Sequence, residues 1–342
     1  MARRGIICGG SWCVDRNKLI DHWPEQETIA GIVAEERQGG GNGANASVDL
    51  KRLGAPFPVE AAGLLGDDSD GRFLLQLCRD MDIDARQMHL TDKVPTAYTD
   101  VMTVKATGRR TFFYSPGSHD LCSPDHFDFS LTNAAILHLG LPGTLATMDG
   151  PWQGEPSGWV ATLKKARAAG LRTNLELCPV ADSVNRDLTR PCLPHLDFLI
   201  INDAEAGAVA GIPTVKGAVT DVAACERAAL AIRERSAADL IVVHFPLGCL
   251  AVTRAGTVTR QTSVNVPQSA IKGSNGAGDA FAAGVLFGIH EGWPLEECLK
   301  LAGATAAASL RSVTTNGAVE NWRACLQLAE TWGWREALPI WT

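Results

Sequence analysis

A parallel α/β sheet covered by helices, with a small β-sheet lid on one edge, is the fold class this sequence predicts. Three observations point to it. Strand-like and helix-like patterns alternate along most of the 342 residues, as in a sheet whose crossovers are helices. Two segments break that rhythm: Asp15 to Gln38 is polar without helical periodicity, and Pro95 to Gly117 alternates strictly around a Gly-containing turn. The last stretch is helical from Ala277 onward.

In chain order, "RGIICGG" opens as a buried strand, and Gly39 to Gly43 starts a helix carrying Val48, Leu50 and Leu53. "SDGRFLLQLCRDMD" places Phe73, Leu74, Leu77, Cys78 and Met81 on one helical face, with Asp68 or Ser69 as N-cap. In the hairpin, Tyr98, Asp100 and Met102 alternate with Thr99, Val101 and Thr103, and Thr111 to Tyr114 returns. "AAILHLG", "DFLIIN" and "DLIVVHF" read as buried strands. "SGWVATLKKARAAG" is a helix closed by Gly170, and "TDVAACERAALAIRERSA" is another. Helices follow over Ala277 to Glu291, Leu295 to Arg311 and Glu320 to Thr331. The two irregular segments cannot sit inside a parallel sheet. They are expected together as a lid of residues 15–45 and 97–114, inserted into a main domain of residues 1–14, 46–96 and 115–342.

Composition bounds the function. With 46% hydrophobic and 20% charged residues the chain can bury a substantial core. A net charge of −7, with no Lys/Arg cluster longer than a pair, gives no electrostatic footprint for nucleic acid or acidic membranes, so small molecules are the expected partners. Ten cysteines are scattered with no CxxC and read as reduced, buried thiols. The apolar run before Gly9 is too short for a signal segment or a membrane span, and a cytoplasmic location is expected. The eight histidines lack metal-ligand spacing; His138, inside an apolar strand, reads as a core residue. Trp322, Trp332, Trp334 and Trp341 read as packing for the last helix or an interface.

Chemistry concentrates in two glycine-rich stretches. In "GSNGAGDAF", Gly276, Ala277 and Gly278 lie at a helix start, where unpaired N–H groups and the positive end of the helix dipole suit an anion such as phosphate. Asp279 in that first turn can accept a proton from a nearby hydroxyl, or serve only as a cap. "RQGGGNGANASVDLKRLGA" opens the earlier helix, with Asn45 able both to donate and to accept. Gly39, Gly41 and Ala44 also satisfy G-x-G-x-x-A. A dinucleotide fingerprint, however, follows the first strand directly, and here the polar lid segment intervenes. No lysine follows a glycine, which excludes a Walker P-loop.

Together, "GGGNGAN" and "GAGDAF", separated by a lid hairpin, resemble the ribokinase/phosphofructokinase-B family of carbohydrate kinases from Gly5 to about Trp322. The resemblance implies a ribokinase-like α/β domain with a β lid, ATP as phosphoryl donor, Mg²⁺, and a sugar, sugar acid or polyol as acceptor. Asp279 then matches the general base, and Gly276, Ala277 and Gly278 the anion hole. Asp15 matches the aspartate that binds acceptor hydroxyls, although Cys13 stands where asparagine is usual. Gly40, Gly41 and Asn45 match the sugar-contacting turn, and Tyr98, Val101 and Thr103 of the lid are expected around the acceptor. "NDAE" fits N-x-x-E and places Asn202 and Glu205 near the phosphates, with Glu205 toward Mg²⁺ through water. Read alone, that pattern is a helix cap. Gly248 matches the nucleotide loop, and Asn316 and Gly317 lie where the family closes over adenine.

Three departures qualify these expectations. Gly273 replaces the aspartate of a loop that holds a monovalent cation in many members, which argues against that cation. Phe245 replaces the first glycine of the nucleotide loop. Gly140 stands where ribokinases place an acidic sugar ligand, which argues against ribose. Arg109 and Arg110 can pair with an anionic acceptor, but read first as a solvated hairpin tip. Phe113, Tyr114 and Tyr98 keep open a nucleoside kinase, and a non-catalytic sugar- or nucleotide-binding protein remains the reading from another class. The edges of a small β lid suit lid-to-lid pairing into a homodimer.

Overall fold

The computed structural model describes residues 3–336, so Trp341 lies outside the described residues. Nine strands form the main sheet, in the order Val258–Thr262, Gly248–Thr253, Leu240–Phe245, Phe198–Asn202, Arg172–Leu175, Ile136–Gly140, Ile6–Gly10, Val59–Gly66 and Asp84–Thr91. From Leu240–Phe245 to Asp84–Thr91 every pairing is parallel, and the strands at the other edge turn back antiparallel. Runs such as "IICGG" and "ILHLG" are buried throughout because helices cover both faces. One apolar layer holds Gly41–Arg52, Ala277–His290, Leu295–Ser309 and Trp322–Trp332; the opposite layer holds Gly158–Ala168 and Val222–Glu234.

Local sequence sets most helix boundaries. Asp68 caps Ser69–Asp80 by accepting from the Gly71 N–H at 2.8 Å, and Ser157 caps Gly158–Ala168. Gly170, at φ +85°, ends the latter helix as expected. The first helix begins at Gly41, because Gly39 and Gly40 still belong to a lid strand. Gly41 to Asn45 therefore form its first turns rather than lid. All ten cysteines are buried and free, and Trp322, Trp332 and Trp334 pack against the core.

The lid is a four-stranded sheet in the order Ile32–Gly40, Cys13–Ile20, Tyr98–Val104, Arg110–Ser115. Its middle pair is parallel and both outer pairs are antiparallel. Two arginines tie it to the body: Arg16 Nη2 lies 2.7 Å from Asp70 Oδ2, and Arg37 Nη1 3.1 Å from Asp70 Oδ1.

Strand alternation assigns the two lid faces. Asp15 pairs with Thr99, Asn17 with Val101 and Leu19 with Thr103, so these share a face. Tyr98 belongs to the other face, where the Arg16 guanidinium covers its ring at 3.9 Å. Tyr98 is thus separated from Val101 and Thr103, with which it was expected to surround the acceptor. The period-2 geometry of the strand forbids all three from pointing the same way.

Candidate active site

The carboxyl-terminal ends of the central strands, the start of Ala277–His290 and the buried lid face converge at one place, as expected for ligands of parallel sheets. Gly276 is the N-cap, at φ +72°, and no side chain caps the helix. A Cβ there would fall 2.4 Å from the Thr315 carbonyl oxygen, so the turn needs glycine on both counts. Ala280 donates to the Gly276 carbonyl at 2.8 Å, and Ala277 to Ser274 at 3.4 Å. Among the described residues the amides of Gly278 and Asp279 have no acceptor, which leaves two donors free at the positive end of a 14-residue helix.

Asp279 is half-buried in this turn. Its Oδ2 accepts from Asn45 Nδ2 at 3.2 Å, joining the two glycine-rich stretches across 234 residues of sequence. Burial and the neighbouring Glu176 carboxylate push the Asp279 carboxyl well above its ordinary value. Asp15 lies on the lid side. Glycine at position 40 leaves room for the Asp15 carboxyl, because a Cβ there would come 2.4 Å from its carboxyl carbon and push it aside. Burial and then the charge of Asp279 raise Asp15 to about 7, while Cys13 Sγ, 3.8 Å from Oδ1, and the Thr99 side chain favour its ionised form. Cys13, in place of the expected asparagine, therefore faces Asp15.

A second acidic group stands behind Asp279. Glu176 follows the strand Arg172–Leu175, and burial brings it to about 8, while its approach to Asp279 favours its ionised form. His138 sits on the adjacent strand, its Nε2 2.6 Å from Glu176 Oε2, an approach too oblique to make an aligned hydrogen bond. On its other side Asn174 Nδ2 meets His138 Nδ1 at 2.9 Å. Burial holds His138 down at about 4, so the ring is neutral at pH 7. Sequence reading left His138 in the core and passed over Glu176. The available signal was a lone carboxylate immediately after the short parallel strand Arg172–Leu175, at the carboxyl end of the sheet where Asn202 also lies.

Asn202 and Glu205 form a reciprocal capping box: Asn202 Oδ1 accepts from the Glu205 N–H at 2.9 Å, and Glu205 Oε2 accepts from the Asn202 N–H at 3.0 Å. Capping does not withdraw Asn202 from the neighbouring cleft, which it also lines. Glu205 is buried, which raises it to about 7 against the two Asn202 bonds, and its Oε1 is free.

That cleft, of about 510 Å³, runs from Ala277 and Gly278 past Phe245, Gly248, Val264 and Ala307. Its size and apolar walls suit a small planar ligand whose charged end reaches the helix start. Phe245, placed in the wall, leaves the nucleotide loop with a ring where glycine was usual. Asn316 and Gly317 do not line it. The Thr315 carbonyl occupies the space beside Gly276, and Gly317 borders a separate hollow with Lys272 and Arg311. Gly273 packs against the Ser312 carbonyl, where a Cβ would be tight at 3.0 Å.

The lid completes the enclosure. Val101 is buried and Thr99 lies beside Asp15 and Cys13, so Thr99 joins the expected set from which Tyr98 departs. Arg110, read first as a solvated tip, instead sends its Nη2 to the Ser274 hydroxyl at 3.0 Å.

Comparison with known proteins agrees with this arrangement. The family model for pfkB family carbohydrate kinases matches residues 6–322, and the chain belongs to that family. An acarbose 7(IV)-phosphotransferase from Actinoplanes sp. is 39% identical over 106 residues, 30% of this chain and 34% of that protein. A nucleoside kinase from Methanocaldococcus jannaschii is 23% identical over 88% of this chain and 89% of its own. Arabidopsis thaliana ribokinase, solved with ribose and ATP, superposes with a TM-score of 0.77 at 20% identity, covering 96% of this chain and 99% of that one. The fold is ribokinase-like, and the protein is a carbohydrate kinase by family. Among the described residues no helix is long and apolar enough to cross a membrane.

Proposed function

We propose that this chain transfers the terminal phosphoryl group of ATP to a hydroxyl of a small carbohydrate: a sugar, sugar acid or polyol. One observation carries the reading: Asp279 and two unpaired amides share a helix turn that is hydrogen-bonded to Asn45 and opens onto a nucleotide-sized cleft. Asp15, Gly40, Gly41, Asn45 and Thr99 hold the acceptor, with Val101 and Thr103 behind them. Asp279 takes the hydroxyl proton, the acceptor oxygen bonds to phosphorus, and the bond to the leaving diphosphate breaks. The amides of Gly278 and Asp279 stabilise the charge on the moving group. Glu176 raises the proton affinity of Asp279, and the neutral His138 ring beside Glu176 adds no charge to this pocket.

Mg²⁺ fits the residues present. Glu205, whose side chain is buried, has one carboxylate oxygen without a partner among the described residues and would hold the ion through water, where it would neutralise phosphate charge. Among the described residues no group of three or more His, Cys, Asp or Glu forms a metal cage, so the nucleotide phosphates and water would supply most ligands. Gly273 contributes no carboxylate for a monovalent cation. The unpaired outer lid strands and the exposed Trp23, Phe112 and Phe113 support a lid-mediated homodimer.

Tyr114 and Phe112, which pair with Thr99 and Val101 on the acceptor face, favour a second reading, a nucleoside as acceptor. A coupled ADP-release screen over pentoses, hexoses, sugar acids and nucleosides separates the possibilities. Release dependent on a carbohydrate is the expected result. Release with nucleosides alone selects the second reading, and no release with any acceptor returns the protein to a non-catalytic binding role.

A further inference from the structure

The lid sends a cation to the rim of the cleft: Arg110 borders a neighbouring hollow with Asp21, His22 and Trp23 and meets the cleft at Ser274. Arg110 begins the last lid strand and pairs across it with Thr103, on the face that also carries Thr99 and Val101. Its guanidinium crosses to Ser274, a residue 164 positions away that lines the same cleft as Ala277 and Gly278. Ser274 stands just ahead of the helix start with the unpaired amides.

The pairing is unusual among the four cations carried by the lid strands. Arg16 and Arg37 face Asp70, and Lys18 faces Asp100, so these cations are neutralised by carboxylates. Arg110 alone of the four meets only a neutral hydroxyl, and among the described residues it has no carboxylate within 4.0 Å. Burial there disfavours its charged form, although an arginine stays charged at any ordinary pH. A half-buried guanidinium with one of its five donors engaged, set over a helix start that already favours anions, is poised for an anionic group.

Two anions compete for that place: the terminal phosphate of the donor and an acidic group on the acceptor. Strand geometry separates them. Thr103 is four residues beyond Thr99, roughly 13 Å along an extended strand. The Asp15 and Thr99 end is the acceptor side, and the Ser274 end is the donor side.

We propose that Arg110 grips the terminal phosphate of the bound nucleoside triphosphate, using Ser274 as its resting partner, so that lid closure is coupled to the presence of the phosphate to be transferred. This rests on the kinase reading and adds to it a lid residue that senses triphosphate against diphosphate. Charge-assisted, bidentate bonds of this kind are stronger than the neutral bond they replace. Loss of the phosphate on transfer weakens the grip, which favours reopening and product release.

Calorimetric titration of the full chain with Mg²⁺ and either ADP or β,γ-imido-ATP tests this without knowledge of the acceptor. The ratio of the two affinities should fall about tenfold in Arg110→Ala, with ADP affinity changed less than about twofold, and Arg110→Lys should recover only part of it. With an acceptor in hand, Arg110→Ala should lower kcat ~10²–10³-fold while the acceptor KM stays put. Melting curves establish that each variant is folded, and Arg110→Lys carries the test if the alanine variant is not. An unchanged triphosphate-to-diphosphate ratio overturns the inference. So does a defect confined to the acceptor KM, which would assign the guanidinium to an acidic acceptor. A wild-type chain that binds neither nucleotide defeats the kinase reading itself, a result distinct from either.

Discussion

Replacing Asp279 with asparagine isolates the proton transfer from everything else the turn does. Asparagine has nearly the same shape and can present its carbonyl oxygen to Asn45 Nδ2, keeping the 3.2 Å link between the two glycine-rich stretches. The free amides of Gly278 and Asp279 are backbone groups and survive the change. What disappears is a carboxylate whose proton affinity is raised by burial and by Glu176. General-base assistance is worth ~10²–10⁴ in rate, which corresponds to about 2.7–5.5 kcal/mol of activation free energy. Nucleotide affinity should therefore stay within about threefold, and kcat should fall by that full factor. The melting temperature should hold or rise, since an acid held in an unfavourable buried site has been exchanged for a neutral amide. Steady-state ADP release, nucleotide titration and melting of the same preparation read these quantities together. A variant with wild-type kcat would refute the assignment of Asp279 as base. A variant that loses nucleotide binding would show that the residue holds the turn together rather than moving a proton.

Three further outcomes follow from the same geometry. Gly276→Ala places a Cβ 2.4 Å from the Thr315 carbonyl oxygen at φ +72°, so it should cost ~1–3 kcal/mol in denaturant unfolding and lower kcat with little change in acceptor KM. Gly40→Ala forces the Asp15 carboxyl aside; the acceptor KM should rise at least about tenfold while nucleotide affinity holds. Glu176→Gln removes the carboxyl that, after burial, raises Asp279, so the acid limb of the kcat/KM profile should move to lower pH.

Stability also carries a pH signature. Asp15 and Glu205 rise to about 7 and Glu176 to about 8 in the folded chain, above their ordinary values near 4. The folded state then binds more protons than the unfolded one between roughly pH 4 and 8. The contribution of these groups is fully present below that window and is lost as pH rises through it. Melting of the ligand-free protein should fall across this range, and Asp15→Asn should flatten the decline. A melting temperature that rises over the same window would contradict the burial assigned to these carboxyls.

Some of this site was legible in the sequence because it is written in local pattern. A glycine-rich run followed by apolar residues at helical spacing identifies a helix start, so Gly276 to Asp279 were found directly. The layered fold was legible for the same reason, from buried strands such as "DFLIIN" alternating with amphipathic helices. Glu176 and Arg110 were not, because their significance lies in pairings between distant segments: Glu176 with Asp279, Arg110 with Ser274. Tyr98 shows the opposite error. Its strand was recognised correctly, but which lid face carries Asp15 depended on register with Cys13–Ile20, which places Thr99 beside Asp15. Asn316 and Gly317, expected to close over the nucleotide, do not line the cleft, and the Thr315 carbonyl beside Gly276 is the part of that segment that approaches the helix start.

The most direct test of the central claim is a crystal structure of the chain with β,γ-imido-ATP, Mg²⁺ and an acceptor identified by the ADP screen. The terminal phosphate should accept hydrogen bonds from the Gly278 and Asp279 amides, with the acceptor hydroxyl between that phosphate and the Asp279 carboxylate. A triphosphate bound elsewhere, with those two amides facing water or protein, would contradict the account.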